Sequence, residues 1–216
     1  MTAVSKDQQL LIEMHYLPSV AYFVYLRKFT SVIIDAEDLY TKQTYRNRCR
    51  INGANKIEDL IIPIKKNKSG KIRTSEVEID HRQKWLNKHK RAIQSAYGKA
   101  PFFEYYADEL FEIFNKKTQS LLLFNMELLT KCLEFLEMKL TINVGLIEKS
   151  ENKTAVYDAR NAINPKKQHS SHSLFSPEPY FQVFGNNFAA NMSIIDLIFC
   201  EGPQAKFVVE NSFAGV

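Results

Sequence analysis

The sequence predicts an α/β fold in a single domain over residues 1–216. It has a β-α-β start, a small mixed sheet and a helical stretch at about residues 82–139. Three observations carry that expectation. Two apolar runs, LLIEMH at 10–15 and SVIID at 31–35, flank a mostly apolar segment of helical length. Apolar residues then recur at helical spacing through three successive segments. The chain is also long enough, at 216 residues, for a substantial core, with 45% apolar and 25% charged residues.

Taken in order, residues 10–15 read as a strand and YLPS as a turn, with Pro18 suited to a helix start. Residues 19–29 read as a buried helix and 31–35 as a second strand ending in an acid. Residues 36–50 show no clean period and read as a loop or irregular segment. LIIPI at 60–64 reads as a strand in which Pro63 limits ladder bonds. KKNKSGK at 65–71 is a basic turn. SEVEID at 75–80 alternates Val77 and Ile79 with Glu76 and Glu78, as a half-buried strand does.

Three helices follow. Over 82–97, Trp85, His89, Ala92, Ile93 and Ala96 share a face, and Gly98 ends the helix. Over about 101–115, Phe102, Tyr106, Leu110 and Ile113 align. Over about 119–139, Leu121, Leu128, Cys132, Phe135 and Leu136 form a stripe. Residues 142–147 suit another strand. Residues 148–180, rich in Lys, Ser, Asn and Pro, read as a long loop or mobile flap. Ser193 is placed to cap a helix over 194–200, with Asp196 in its first turn, and Gly202 and Pro203 end it.

Composition excludes several classes. No apolar run approaches the ~20 residues of a bilayer span. The N-terminus lacks a basic n-region and a long apolar stretch, so no secretory leader is expected. Cys49, Cys132 and Cys200 are scattered without a CxxC, which suits reduced thiols in a cytoplasmic protein. Neither a GxGxxG nor a GxxxxGK[ST] motif occurs.

Charge is uneven. Residues 41–100 hold sixteen Lys and Arg against five Asp and Glu, within a chain of net charge +5. Such a segment either attracts an anionic small molecule or is merely a solvated face. Its densest part, LYTKQTYRNRCRI at 39–51, sets Lys42, Arg46, Arg48 and Arg50 among Tyr40, Tyr45 and Asn47. Guanidinium forks bind phosphate or carboxylate, and tyrosines add hydroxyls and stacking faces. If extended, this segment would put Arg46, Arg48 and Arg50 on one face. The competing reading is an edge strand kept from aggregating by its charges.

Histidines are the other candidates. His89 lies one helical turn from Trp85, with Arg91 nearby, and could act as a general base or be a satisfied core histidine. His15 and Tyr16 sit where the first strand meets the first helix, and Asp35 ends the second strand. Both are places where α/β folds bind ligands, and they equally suit a plain structural turn at His15 and Tyr16 and a helix cap at Asp35. His169 and His172 have an HSSH spacing but no further ligand nearby, so no metal site is expected. No cofactor follows from the residues.

The strings YLPSVAYF, KQTYRNRCRI, VEIDHRQKWLNKHKRAIQSAYGKAPFFEYY and NMSIIDLIFCEGP, in that order, resemble the WbqC-like family. The resemblance runs from about residue 13 to 205 and is to the family's shorter, Bacteroidetes-type branch. It implies a cytoplasmic protein of O-antigen or other surface-polysaccharide synthesis. The class implied is a transferase modifying a sugar or sugar nucleotide, by acyl or aminoacyl transfer. On that footing Arg46 and Arg48 would bind the diphosphate, Asn47 and Tyr16 would orient the substrate, and His89 would be the base. Two departures stand out. Glu13 and Met14 occupy places where many members have Gln-Pro, and a Gly- and Ser-containing segment after the third helix is missing. A non-catalytic anion- or nucleic-acid-binding protein and a scaffold partner are the alternatives. No nucleic-acid module is recognisable, which argues against nucleic acid.

Overall fold

The computed structural model describes residues 8–66, 70–145, 155–166, 174–185 and 187–214. Four parallel strands form its main sheet: β1 (Gln9–Glu13), β2 (Ser31–Asp35), β5 (Thr141–Gly145) and β6 (Val156–Asp158), in the order β5-β2-β1-β6. β1 and β2 are central. Both of their faces are covered, so Leu10, Leu11, Ile12, Val32, Ile33 and Ile34 are all buried, and each strand is a continuous apolar run. Helix α1 (Val20–Arg27) links them and is buried from Val20 through Leu26. It packs on α5 (Ile194–Glu201) and α6 (Ala205–Asn211).

A separate antiparallel ribbon, β3 (Arg48–Asn52) with β4 (Ile57–Ile61), branches from the connection between β2 and β5. The same connection carries α2 (Trp85–Tyr97), α3 (Phe103–Asn115) and α4 (Leu121–Phe135). The expected helical faces hold: Trp85, His89, Ile93 and Ala96 of α2 are buried, as are Leu110 and Ile113 of α3. Ser120 caps α4 by accepting from the Leu123 amide.

Four expectations are corrected. Residues 48–50 belong to strand β3, not to an irregular segment: Cys49 and Ile51 bury one face while Arg48 and Arg50 hold the other. The strand expected at 60–64 is β4, ending at Ile61. Beyond it Pro63 has no amide to donate, and its carbonyl accepts from the Asp80 amide. Residues 75–80 form no strand. A 3-10 turn at Thr74–Glu76 leads into an extended piece that makes only isolated bridges, at Glu78 and Ile79. The alternation is real, with Val77 and Ile79 buried, but among the described residues the piece pairs only through single bridges, Ile79 with Ile64 and Glu78 with Ser120. Finally, the loop expected over 148–180 contains β6, which pairs with β1. Part of that loop, together with His169 and His172, lies outside the described residues.

Candidate functional site

Strand order places the site. From β1 the chain adds β2 and β5 on one side, then returns to add β6 on the other. The direction of winding reverses between β1 and β6. Crevices at the carboxyl ends of strands beside such a reversal are where doubly wound sheets bind ligands. A cleft of about 530 Å3 opens there, lined by Asp38, Leu39, Thr41, Arg46, Asp158, Arg160 and Asn161.

Each strand end contributes. Asp35, the last residue of β2, accepts the amides of Glu37 and Asp38 on one oxygen and Arg160 Nη1 on the other, at 2.7 Å. Asp158, the last residue of β6, takes Arg160 Nη2 at 2.6 Å. That hydrogen bond holds its carboxyl below the usual carboxylate range. Glu13 ends β1 and is 2% exposed. Both of its oxygens accept from the Asn161 amide, at 3.1 and 3.0 Å, and Oε1 lies 3.4 Å from His15 Nε2. Burial pushes the Glu13 carboxyl up, but contact with His15 and the charges of His15 and Arg46 outweigh it, so the net shift is downward. The His15 ring is fully buried, its centroid 4.9 Å from the Tyr22 ring and 5.5 Å from the Tyr45 ring.

Arg46 also lines the cleft. Its side chain is 2% exposed, its Nη2 pairs with Asp38, and Nη1 reaches the Thr44 hydroxyl at 3.4 Å. The Asp38 carboxylate also accepts from the Thr74 hydroxyl. Asn125 Nδ2 donates to the Arg46 carbonyl and fixes the backbone from α4.

Over residues 14–169 the sequence matches the WbqC-like protein family. The chain belongs to that family. No curated protein and no solved structure matches it significantly. All seven cleft-lining residues of this WbqC-like chain fall inside the matched segment, and Glu13 is its immediate neighbour. Among the described residues no helix is long and apolar enough to cross a membrane. No group of three or more metal-ligating side chains occurs among them either.

The residues singled out from sequence separate into three places. Arg46 lines the crevice, Asp35 reaches it through Arg160, and His15 and Tyr45 are buried against each other near Glu13. Tyr16, Trp85 and His89 lie in the core instead: the Tyr16 hydroxyl meets His89 Nδ1 at 2.9 Å, and Trp85 stacks edge-on to His89 and Phe124. His89 is 4% exposed and also bonds the Ile61 backbone, and burial lowers its pKa to about 4. Asn47 is buried, and its Nδ2 donates to the Ile62 carbonyl.

The third group is basic. Arg48 and Arg50 lie on the ribbon, each paired with Asp59 across it at 3.4 and 3.3 Å. Lys42 and Arg91 are exposed and lie elsewhere. The single face expected for Arg46, Arg48 and Arg50 does not form, because β3 begins only at Arg48 and Arg46 turns inward to Asp38. Glu13, Asp38, Asp158, Arg160 and Asn161 were not found from sequence. Glu13 did carry a signal, a charge closing an otherwise apolar strand.

Proposed function

We propose that this WbqC-like chain is a transferase of surface-polysaccharide synthesis, working in the cytoplasm as one domain and binding a sugar or sugar nucleotide in the cleft at the carboxyl ends of β1, β2 and β6. The observation that supports the reading is the coincidence of that cleft with the reversal of strand order. The lining suits such a ligand. Asp38, Asp158 and the Thr41 hydroxyl offer acceptors to vicinal sugar hydroxyls, and the Arg160 guanidinium, whose side chain is 39% exposed, offers a fork to a phosphate. In this reading the phosphate partner is Arg160. Arg48 and Arg50 lie on the β3–β4 ribbon and do not line this cleft.

The test is calorimetric titration of the purified protein with a panel of sugar nucleotides, repeated on Arg160→Ala. One sugar nucleotide should bind the wild type and bind the variant at least roughly tenfold more weakly, as loss of a charge-assisted fork implies. Absence of binding across the panel, or equal affinity in the variant, would overturn the reading.

A further inference from the structure

The turn after β6 lies across the end of β1. In register, Glu13 of β1 sits beside Asp35 of β2, and Leu11 sits beside Asp158 of β6. β1 runs between the other two, so β2 and β6 are two strand spacings apart, roughly 10 Å. Arg160 closes that gap by holding Asp35 with Nη1 and Asp158 with Nε and Nη2. Its neighbour Asn161, at φ 58°, brings its amide down onto both Glu13 oxygens. Glu13, which faces His15, thus lies beneath the Asn161 amide of a turn held by Arg160.

That pair sets a buried imidazole against a buried carboxylate. His15 Nε2 faces the Glu13 carboxylate at an ion-pair distance of 3.4 Å, and neither ring nitrogen makes a hydrogen bond among the described residues. An imidazole oriented by a carboxylate on one nitrogen and free on the other is the arrangement of a general base. Burying both nitrogens without a full partner set is costly in a finished core. The cover, by contrast, is held from outside. The side chains of Arg160 and Asp158 are 39% and 49% exposed, so their ion pair is open to solvent and to competing anions.

We propose that the Arg160–Asn161 turn is a ligand-operated cover over a Glu13–His15 base pair. This rests on the reading of the cleft as a substrate site. A phosphate entering the cleft competes with Asp35 and Asp158 for the Arg160 guanidinium. Drawn away, Arg160 takes Asn161 off Glu13 and opens His15 to the cleft. In its neutral form His15 then accepts a proton from a substrate hydroxyl or amine through the ring nitrogen that the opening exposes. The substrate's O–H or N–H bond breaks, its electron pair stays on the substrate atom, and the new imidazolium is balanced by the Glu13 carboxylate.

The experiment needs no substrate. Hydrogen exchange of the Asn161 amide and diethylpyrocarbonate labelling of His15, read by peptide mass spectrometry, are compared between wild type and Arg160→Ala, with Arg160→Gln as a second variant. Both signals should rise about tenfold in the variants, while the β1 amides of Leu10–Ile12 keep their wild-type protection. Unchanged exchange and labelling would overturn the proposal. So would a rise shared by the β1 amides, since that is general loosening and not a local cover. Millimolar inorganic pyrophosphate added to wild type should raise the same two signals, and no response to it would remove the ligand-operated step. If the cover opens in the variants and yields to pyrophosphate but no sugar nucleotide binds, the failure belongs to the substrate reading alone.

Discussion

Replacing Asp38 with Asn removes the charge that neutralises Arg46 and leaves the shape of the site nearly unchanged. Arg46 is 2% exposed and Asp38 14% exposed, so this pair is shielded from water far more than the surface pairs elsewhere on the chain. Without the carboxylate, the guanidinium keeps one long bond to the neutral Thr44 hydroxyl at 3.4 Å, and its Nε has no partner among the described residues. Breaking a buried pair on one side costs about 3–5 kcal/mol, because the remaining charge is stranded. The cleft beside Arg46 admits some water, which favours the low end, about 3 kcal/mol. For a chain of this size that corresponds to a fall in Tm of roughly 6–12 °C. Urea denaturation followed by circular dichroism at pH 7 measures the loss directly. The double variant Asp38→Asn with Arg46→Met should recover part of it, since the stranded guanidinium is gone while the buried Glu13 carboxylate loses the field of Arg46. A loss below about 1 kcal/mol, or a double variant no better than Asp38→Asn alone, would refute the claim that Arg46 is a desolvated charge held by Asp38.

Three further outcomes are expected. His89 titrates near 4 in the folded chain against an ordinary 6.5, so the unfolded chain takes up the proton first. Its contribution is complete above about pH 6.5 and declines toward pH 4, by on the order of 3 kcal/mol, and urea midpoints across that range should flatten in His89→Gln. Gly202 has φ 53°, and a methyl group there would lie 2.5 Å from the Phe102 ring, so Gly202→Ala should cost roughly 2 kcal/mol or more by thermal unfolding. Ser120→Ala loses the cap on the Leu123 amide and should lower stability by about 1 kcal/mol in the same measurement.

What the sequence revealed followed burial. β1, α1 and β2 were legible because a strand covered on both faces and a helix buried almost all round leave unbroken apolar runs. The three later helices were legible because each buries a stripe. β3 was hidden because Arg48 and Arg50 occupy alternate positions and mask the buried Cys49 and Ile51. β6 was hidden because three residues carry no period, and pairing with β1 alone makes them a strand. The site divided in the same way. His15, Asp35 and Arg46 could be reached from local position, at strand ends or in a basic segment. Arg160 could not, since its contact with Asp35 spans 125 residues and exists only once β6 docks beside β1.

The strand order also narrows how this fold can hold an anion. Doubly wound sheets commonly bind phosphate on the first-turn amides of the helix after the first strand. Here the chain fills those amides itself. Val20 donates to the Met192 carbonyl and Ala21 to the Asn191 side chain. At the facing end of α5, the Ile194 amide donates to the Pro18 carbonyl, and the Ser193 hydroxyl donates to Leu17. Ser19 and Ser193 form a bridge between the two helix starts, so each end caps the other. An anion at this crevice must therefore be held by side chains. The guanidinium that lines the cleft with substantial solvent exposure is Arg160, already suspended between two carboxylates. In the proposed reading, binding there exchanges one anionic partner for another and is coupled to movement of the turn. A lysine at position 160 would supply the charge but not the two-pronged bridge, so Arg160→Lys should loosen the Asn161 amide almost as much as Arg160→Ala.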